Sequence, residues 1–382
     1  MATRRKIGLI YRYNENWIGG TYYIENLIAA LNLLPDIRKV TLIIFTDDIE
    51  QFFALKKKCP YPYLFHRRLF IRLSKPKMYI NRISLKIFKI SFFKTFHLDI
   101  DLLFPGSNEY WFKKNQKYLY WIPDFQEHFL PHFFSSEDIK ERKEYQLKII
   151  ESAENIVFSS MTVKNEFNQI YPSNLLKQFV LPFAVTHQNI SISKNILDKY
   201  ELPNDFFICN NQFWEHKNHS IILRAVARLK QNGNNAFIVF TGKNHDYRNP
   251  TYFNDLTYLA KELNVETNLK YLGFIDRTDQ LYLMEKAIAV IQPSLCEGWS
   301  TVLEDAKLLA ADIIASSIAV HKEQLNEYSN KLFFNPLDEE ELSNCMMRIQ
   351  KNCAGIKCFD YKKSVIKFGE KFINITDEIL TG

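Results

Sequence analysis

The sequence predicts an α/β protein made of two doubly wound, parallel-sheet domains that face each other across a cleft. Three observations predict it. Short runs rich in Val, Ile and Phe alternate with amphipathic helical patterns along the whole chain, as parallel strands covered on both faces by helices require. The alternation comes in two series, parted by a polar span between Leu181-Pro182-Phe183 and Leu202-Pro203 that carries no strand signal. A chain of 382 residues, 47% of them hydrophobic, suits two cores of ordinary size better than one.

In the first series the strand-like runs are Lys6–Tyr11, Val40–Thr46, Asp101–Pro105, Tyr118–Ile122 and Ile156–Ser160, with helical patterns over Thr21–Leu34 and Ser136–Ala153. In the second they are Phe206–Asn210, Phe237–Gly242, Leu269–Gly273, Ala289–Gln292, Ile313–Ser316 and Leu332–Asn335. Helical patterns there cover Ser220–Lys230, Asp276–Lys286, Val302–Ala310 and, last, Tyr361–Leu380. The expected division is a Rossmann-like domain over 1–185, a second over 186–355, and a C-terminal helix within 356–382. In such a fold a ligand lies at the carboxyl ends of the strands.

Composition narrows the function classes. Six cysteines are scattered without a CxxC pair or a His spacing that suggests zinc, so reduced thiols and a cytoplasmic setting are expected. Arg4, Arg5 and Lys6 lead into a short strand rather than a signal peptide, and no uncharged apolar run approaches the roughly 20 residues of a membrane span. The net charge of +6 conceals an asymmetry: residues 51–98 hold twelve Lys and Arg and no Asp or Glu. From Arg82 onward Ile83, Leu85, Ile87, Phe88, Ile90, Phe92 and Phe93 mingle with Lys86, Lys89 and Lys94. That mixture suits either a solvated basic face or the surface of an anionic membrane, to which the protein would attach peripherally. No recognition helix, zinc finger or aromatic RNA-binding sheet appears, so nucleic acid is not an expected partner.

The strand ends carry the chemistry. Pro293-Ser294-Leu295-Cys296-Glu297-Gly298-Trp299-Ser300-Thr301-Val302-Leu303-Glu304 joins a buried strand to a helix and sets two carboxylates about a turn of small and hydroxyl residues. The start of a helix offers unpaired N–H groups and a positive dipole end to phosphate, while acids beside it suit sugar hydroxyls. After the first strand, Gly19-Gly20 precedes a helix, where the missing Cβ atoms let a ligand come close to the backbone. After the first strand of the second series, Asn211-Gln212-Phe213-Trp214-Glu215-His216-Lys217-Asn218-His219 brings a lysine to a turn ahead of a helix, a natural diphosphate contact. Asp99-Ile100-Asp101 has the spacing of a metal-binding pair but leads into a strand remote in sequence from these elements, and no metal or other cofactor is expected.

These three segments in this order resemble glycosyltransferase family 4, whose members have the GT-B fold of two facing Rossmann-like domains. The segment Trp121-Ile122-Pro123-Asp124-Phe125-Gln126-Glu127-His128 resembles the family's acceptor-side loop, and Leu181-Pro182-Phe183 resembles the end of its first domain. The resemblance implies a retaining enzyme that moves a sugar from a nucleotide-sugar donor without a metal. It implies that Lys217 contacts the diphosphate, Glu304 the ribose and Glu297 the transferred sugar. Ser300, Thr301 and Val302 would hold phosphate through their backbone, and Gly19 and Gly20 would approach the donor from the first domain. Phe274 and Ile275 would pack on the base, in competition with a plain core role.

Three departures from the family pattern bear on these roles. Glu297 and Glu304 bracket six residues instead of seven; Gln212 stands where an arginine is usual, with His216 or Arg277 as replacement cations; and Pro123-Asp124 stands where a His-Asp pair is common. Asp124 and His128 are then the candidates for orienting an acceptor, expected to be a glycan or a lipid-linked sugar in polysaccharide or glycoconjugate synthesis. The alternatives are a catalytically silent nucleotide-sugar-binding homologue and a membrane-docking interaction protein.

Overall fold

The computed structural model describes residues 4–13, 18–68, 74–88, 92–93, 99–106, 117–186, 195–351 and 359–382. The chain opens with β1 (Lys6–Ile10), α1 (Ile18–Asn32), β2 (Thr41–Phe45), α2 (Ile49–Lys58), β3 (Leu64–Arg67) and α3 (Lys75–Phe88). It continues through β4 (Leu102–Phe104), β5 (Lys117–Tyr118), β6 (Tyr120–Ile122), α4 (Gln126–Phe129), α5 (Ser136–Ser152), β7 (Asn155–Phe158), α6 (Met161–Ile170) and β8 (Lys177–Val180). Strands β1 to β5 form one parallel sheet in the order β3-β2-β1-β4-β5, and β6-β7-β8 form a smaller parallel sheet.

The second half runs α7 (Ile196–Tyr200), β9 (Phe207–Asn210), α8 (His219–Gln231), β10 (Ile238–Thr241), α9 (Tyr252–Glu262), β11 (Leu269–Tyr271) and α10 (Arg277–Lys286). It ends with β12 (Val290–Gln292), α11 (Thr301–Leu308), β13 (Ile313–Ser316), α12 (Ala319–Gln324), β14 (Lys331–Phe334), α13 (Glu339–Lys351) and α14 (Tyr361–Thr381). Its six strands form one parallel sheet ordered β11-β10-β9-β12-β13-β14, so the strand order reverses between β9 and β12. At such a switch point the loops diverge and leave a crevice. The loops after β9 and β12 are the two that carry Lys217 and Glu297.

Burial follows the strand runs: Ile208, Val239, Phe240, Val290, Ile291, Ile313 and Ile314 are all inaccessible to solvent. The segment Tyr118–Ile122 is not one strand. Leu119 interrupts it, its N–H donating to Leu103 O and its carbonyl accepting from Gly106 N–H, so the chain leaves one sheet at Tyr118 and enters the next at Tyr120. Two strands without a run in the sequence also form, β3 (LFHR) and β8 (KQFV). Both lie at sheet edges, where one flank needs no apolar partner.

The last helix returns to the first domain. Phe368, Phe372, Ile375 and Ile379 of α14 join Leu27, Leu31 and Phe104 in one buried cluster. Gly369 lets the two helices touch, since a Cβ there would stand 3.0 Å from Ala30 O. Asp99 and Asp101 serve the sheet: Asp101 Oδ2 accepts from Lys6 N–H at 2.7 Å and Asp99 Oδ2 from Lys6 Nζ at 2.9 Å, at the amino end of β1, away from the cleft.

Candidate functional site

The floor of the cleft is the loop that leaves β12. Its carboxylate, Glu297, accepts through Oε1 from Lys217 Nζ at 2.5 Å, Ser294 Oγ at 2.8 Å and Gln292 Nε2 at 2.9 Å. Asn211 Nδ2 donates to Gln292 Oε1 at 2.9 Å, which ties the loop after β9 to the end of β12. Burial opposes ionisation of Glu297, but the Lys217 ammonium and the Ser294 hydroxyl outweigh it and hold the carboxyl below its ordinary pKa. The pair is therefore a fixed ammonium–carboxylate, largely shielded from water.

Helix α11 starts next to this pair. Ser300 caps it, its hydroxyl accepting from Leu303 N–H, while the Ser300 N–H donates to Gln324 Oε1 at 3.0 Å. The Ser300 N–H is thus already engaged within the protein. The first N–H groups of the helix proper, those of Thr301 and Val302, have no acceptor within the helix, and both residues line the cleft.

The opposite wall comes from the first domain. Gly19 and Gly20 lie in the first turn of α1, and with Trp121, Asp124, Lys217 and Glu297 they line one cavity of about 190 Å³. Among the described residues, a Cβ on Gly19 would meet no atom within 4 Å. Gly298 is the reverse case: a Cβ there would lie 1.8 Å from Pro123 O, so the acidic loop sits directly under the first-domain backbone. Trp299 adds a bond across the cleft, Nε1 donating to Phe183 O at 3.0 Å. Asp124 faces this loop and receives the Gln126 side-chain amide at 3.1 Å; burial raises its pKa, against the pull of Arg142.

A second cavity of about 290 Å³ adjoins the first and shares Gly19, Gln212, Thr301 and Val302 with it. Phe274, Ile275, Arg277 and Asp305 complete its lining. Arg277 pairs with Asp305 at 2.5 Å and lies over the Tyr22 ring, 5.3 Å from its centroid.

Two residues singled out in the sequence are not brought to the cleft. Glu304 faces the other way, its Oε1 accepting from Lys307 Nζ and Gln324 Nε2, each at 2.9 Å, and its Oε2 from Tyr361 OH at 2.5 Å. The reason is helical phase. Thr301 and Asp305 are four apart and share the cleft-facing side of α11, whereas Glu304 is rotated from Asp305 by roughly 100°. A count of i, i+4 from the first helical residue would have found Asp305. His128 is exposed and lies edge-on to Phe129, because one turn of α4 cannot present Gln126 and His128 to the same side.

His216 proves better placed than its surroundings in the sequence suggest. It is buried, lines the first cavity, and its Nδ1 lies 3.2 Å from Arg248 Nη2. A guanidinium only donates, so Nδ1 accepts and the ring proton sits on Nε2, which has no partner among the described residues. Burial together with Lys217 and Arg248 lowers its pKa well below the ordinary value and keeps the ring neutral. Arg248 is itself fixed by Asp246, with contacts at 3.0 and 3.2 Å.

Residues 192–367 match the family described as glycosyl transferases group 1. The chain has no match among curated protein sequences. Among solved structures it is similar to a glycosyltransferase from Rickettsia africae, at 16% identity over 99% of both chains with a TM-score of 0.66. It is also similar to sucrose-phosphate synthase from Thermosynechococcus elongatus, at 16% identity over 99% of this chain and 97% of that one, with a TM-score of 0.63. HepE from Anabaena, solved with UDP-glucose, superimposes with a TM-score of 0.62 at 14% identity over 98% of each chain. With its two facing parallel-sheet domains the chain has the GT-B fold, and its cleft-forming second half matches the group 1 glycosyl transferase domain.

Proposed function

We propose that the protein moves a sugar, with retention, from a nucleoside-diphosphate-sugar to a glycan or lipid-linked acceptor in polysaccharide or glycoconjugate synthesis. One observation carries the reading. Lys217, the start of α11 and the start of α1 open into one cavity, so a cation and two helix N-termini converge where a diphosphate would fit. The adjoining cavity suits the nucleoside: Phe274 and Ile275 would flank the base and Asp305, rather than Glu304, would accept the ribose hydroxyls.

Cleavage of the anomeric C–O bond leaves its electron pair on the diphosphate. Lys217 and the N–H groups of Thr301 and Val302 would stabilise that charge as it develops. The acceptor hydroxyl would attack from the same face, its oxygen forming the new bond and its proton passing to the departing phosphate oxygen. Glu297 would hold Lys217 in place and face the sugar, with the His216 Nε2–H as a further donor. Asp124 would contact the acceptor from the other wall. This scheme assigns no step to a metal, and it suits a cytoplasmic enzyme working at a membrane or in solution.

The test is a thermal-shift panel of nucleoside diphosphates and nucleotide-sugars, with UDP-glucose first because HepE was solved with it. One nucleotide should shift wild type and do so weakly in Lys217→Met and Asp305→Asn. No shift with any member of the panel would overturn the reading.

A further inference from the structure

Helix α3 carries a row of exposed apolar side chains. Its buried residues among the described side chains are Asn81 and Ser84, both small and polar. Asn81 binds the following chain, its Oδ1 accepting from Phe93 N–H at 2.9 Å and its Nδ2 donating to Phe93 O at 3.0 Å. Four apolar residues are outside: Tyr79 is 68% exposed, Ile80 44%, Ile83 52% and Ile87 64%. At 100° per residue these four, spaced i, i+1, i+4 and i+8, make a single stripe along the helix. Lys75, Arg82 and Lys86, spaced i, i+7 and i+11, make a second stripe along its flank, and all three are exposed. An outward apolar stripe of this kind marks a contact surface.

The charge identifies what covers it. Residues 51–98 carry twelve Lys and Arg and no Asp or Glu, so a second copy of the chain would set like charges against each other. A polybasic, apolar helix suits an anionic interface instead. We propose that α3 lies flat in the headgroup region of a bilayer that contains anionic lipid. Tyr79, Ile80, Ile83 and Ile87 enter the acyl boundary, and Lys75, Arg82 and Lys86 rest on the lipid phosphates. Among the described residues no helix is long and apolar enough to cross a membrane, so the attachment is along the surface. The surface is separate from the donor cleft, and the proposal does not depend on which nucleotide the cleft takes.

Co-sedimentation with vesicles tests it, without donor or acceptor. The full chain should bind mixed phosphatidylcholine–phosphatidylglycerol vesicles, bind pure phosphatidylcholine vesicles far less, and lose affinity as salt rises. Replacing Lys75, Arg82 and Lys86 together by Gln should weaken binding roughly a hundredfold and flatten the salt dependence. Ile83→Asp with Ile87→Asp should abolish it. All five side chains are exposed, so both variants should melt with wild type, and the charge variant serves if the aspartates perturb folding. Undiminished binding by the charge variant or by a folded aspartate variant, or equal binding to both vesicle types, would overturn the proposal. So would a dimer in sedimentation velocity that the aspartates dissolve, which would assign the stripe to a second copy.

Discussion

Gly298→Ala isolates the distance between the two domains. The added Cβ would lie 1.8 Å from Pro123 O and 2.8 Å from Pro123 C. A carbon–oxygen contact settles at about 3.3 Å or more, so the backbones must part by about 1.5 Å. The acidic loop cannot easily yield, being fixed by the Leu295 N–H to His216 O bond (2.8 Å), the Ser300 N–H to Gln324 bond and the donors on Glu297. Pro123 directly follows β6 and is equally constrained. Contacts across the cleft comprise a few hydrogen bonds, such as Trp299 to Phe183 O and Glu323 with the N–H groups of Met161 and Thr162 at 2.7 and 2.8 Å, and the packing of Trp299 and Leu308 against the first-domain core. A net contribution of about 1 kcal/mol per hydrogen bond makes hinge opening easier than distortion inside a domain, where overpacking costs about 1–3 kcal/mol. The domains should therefore separate while each stays folded. Since about 1 Å of misplacement can cost on the order of 100-fold, kcat should fall by about that factor. Nucleotide affinity, carried mainly by the second domain, should change by less than about threefold. Release of nucleoside diphosphate from the donor, titration calorimetry and small-angle scattering together read these quantities. Wild-type turnover with an unchanged radius of gyration would refute the reasoning, as would loss of nucleotide binding in step with kcat.

Three further perturbations separate site from scaffold. Asp305→Asn should raise the donor KM about tenfold or more, whereas Glu304→Gln should leave KM near wild type. The latter loses the carboxylate opposite buried Lys307, and a stability loss on the order of 3 kcal/mol is expected in a denaturant melt; the reverse pattern would return the donor role to Glu304. Gly19→Ala meets no atom of the described residues and should stabilise the fold slightly, by about 0.5–1 kcal/mol of helix propensity, while weakening donor binding in calorimetry. Unchanged donor affinity would show that the ligand does not come close to α1. Glu166 has its pKa raised by burial, with Asp124 adding to it, from 4.5 to about 7. A carboxyl with a raised folded pKa contributes stability below its unfolded pKa and loses it as pH rises through the folded one. Glu166→Gln should therefore stabilise the protein at pH 8 by on the order of 1–2 kcal/mol after solvent screening, and be nearly neutral at pH 4.5. Equal effects at both pH values would remove the titration from the account.

The sequence by itself determined the central strands and the loops that hold the chemistry. Apolar runs such as Val290–Gln292 and Ile313–Ser316 leave a buried parallel strand as their one economical arrangement. Glycines and N-caps mark the helix starts because few other residues meet the local backbone demands there. For the same reason Lys217, Glu297, Gly19 and Gly20 could be read as neighbours before any coordinates. What the sequence could not settle was direction. Adjacent acids on one helix point about 100° apart, so only the packing of α11 against Gln324, Lys307 and Tyr361 turned Glu304 inward and left Asp305 to the cleft. The same holds for His128, placed by one turn of α4, and for the His216 tautomer, placed by an arginine thirty-two residues away. Short edge strands such as β3 and β8 were silent because an edge needs little apolar sequence. Local physics fixes which residues form an element; which of their side chains meet across a cleft is decided by the contacts of distant parts of the chain.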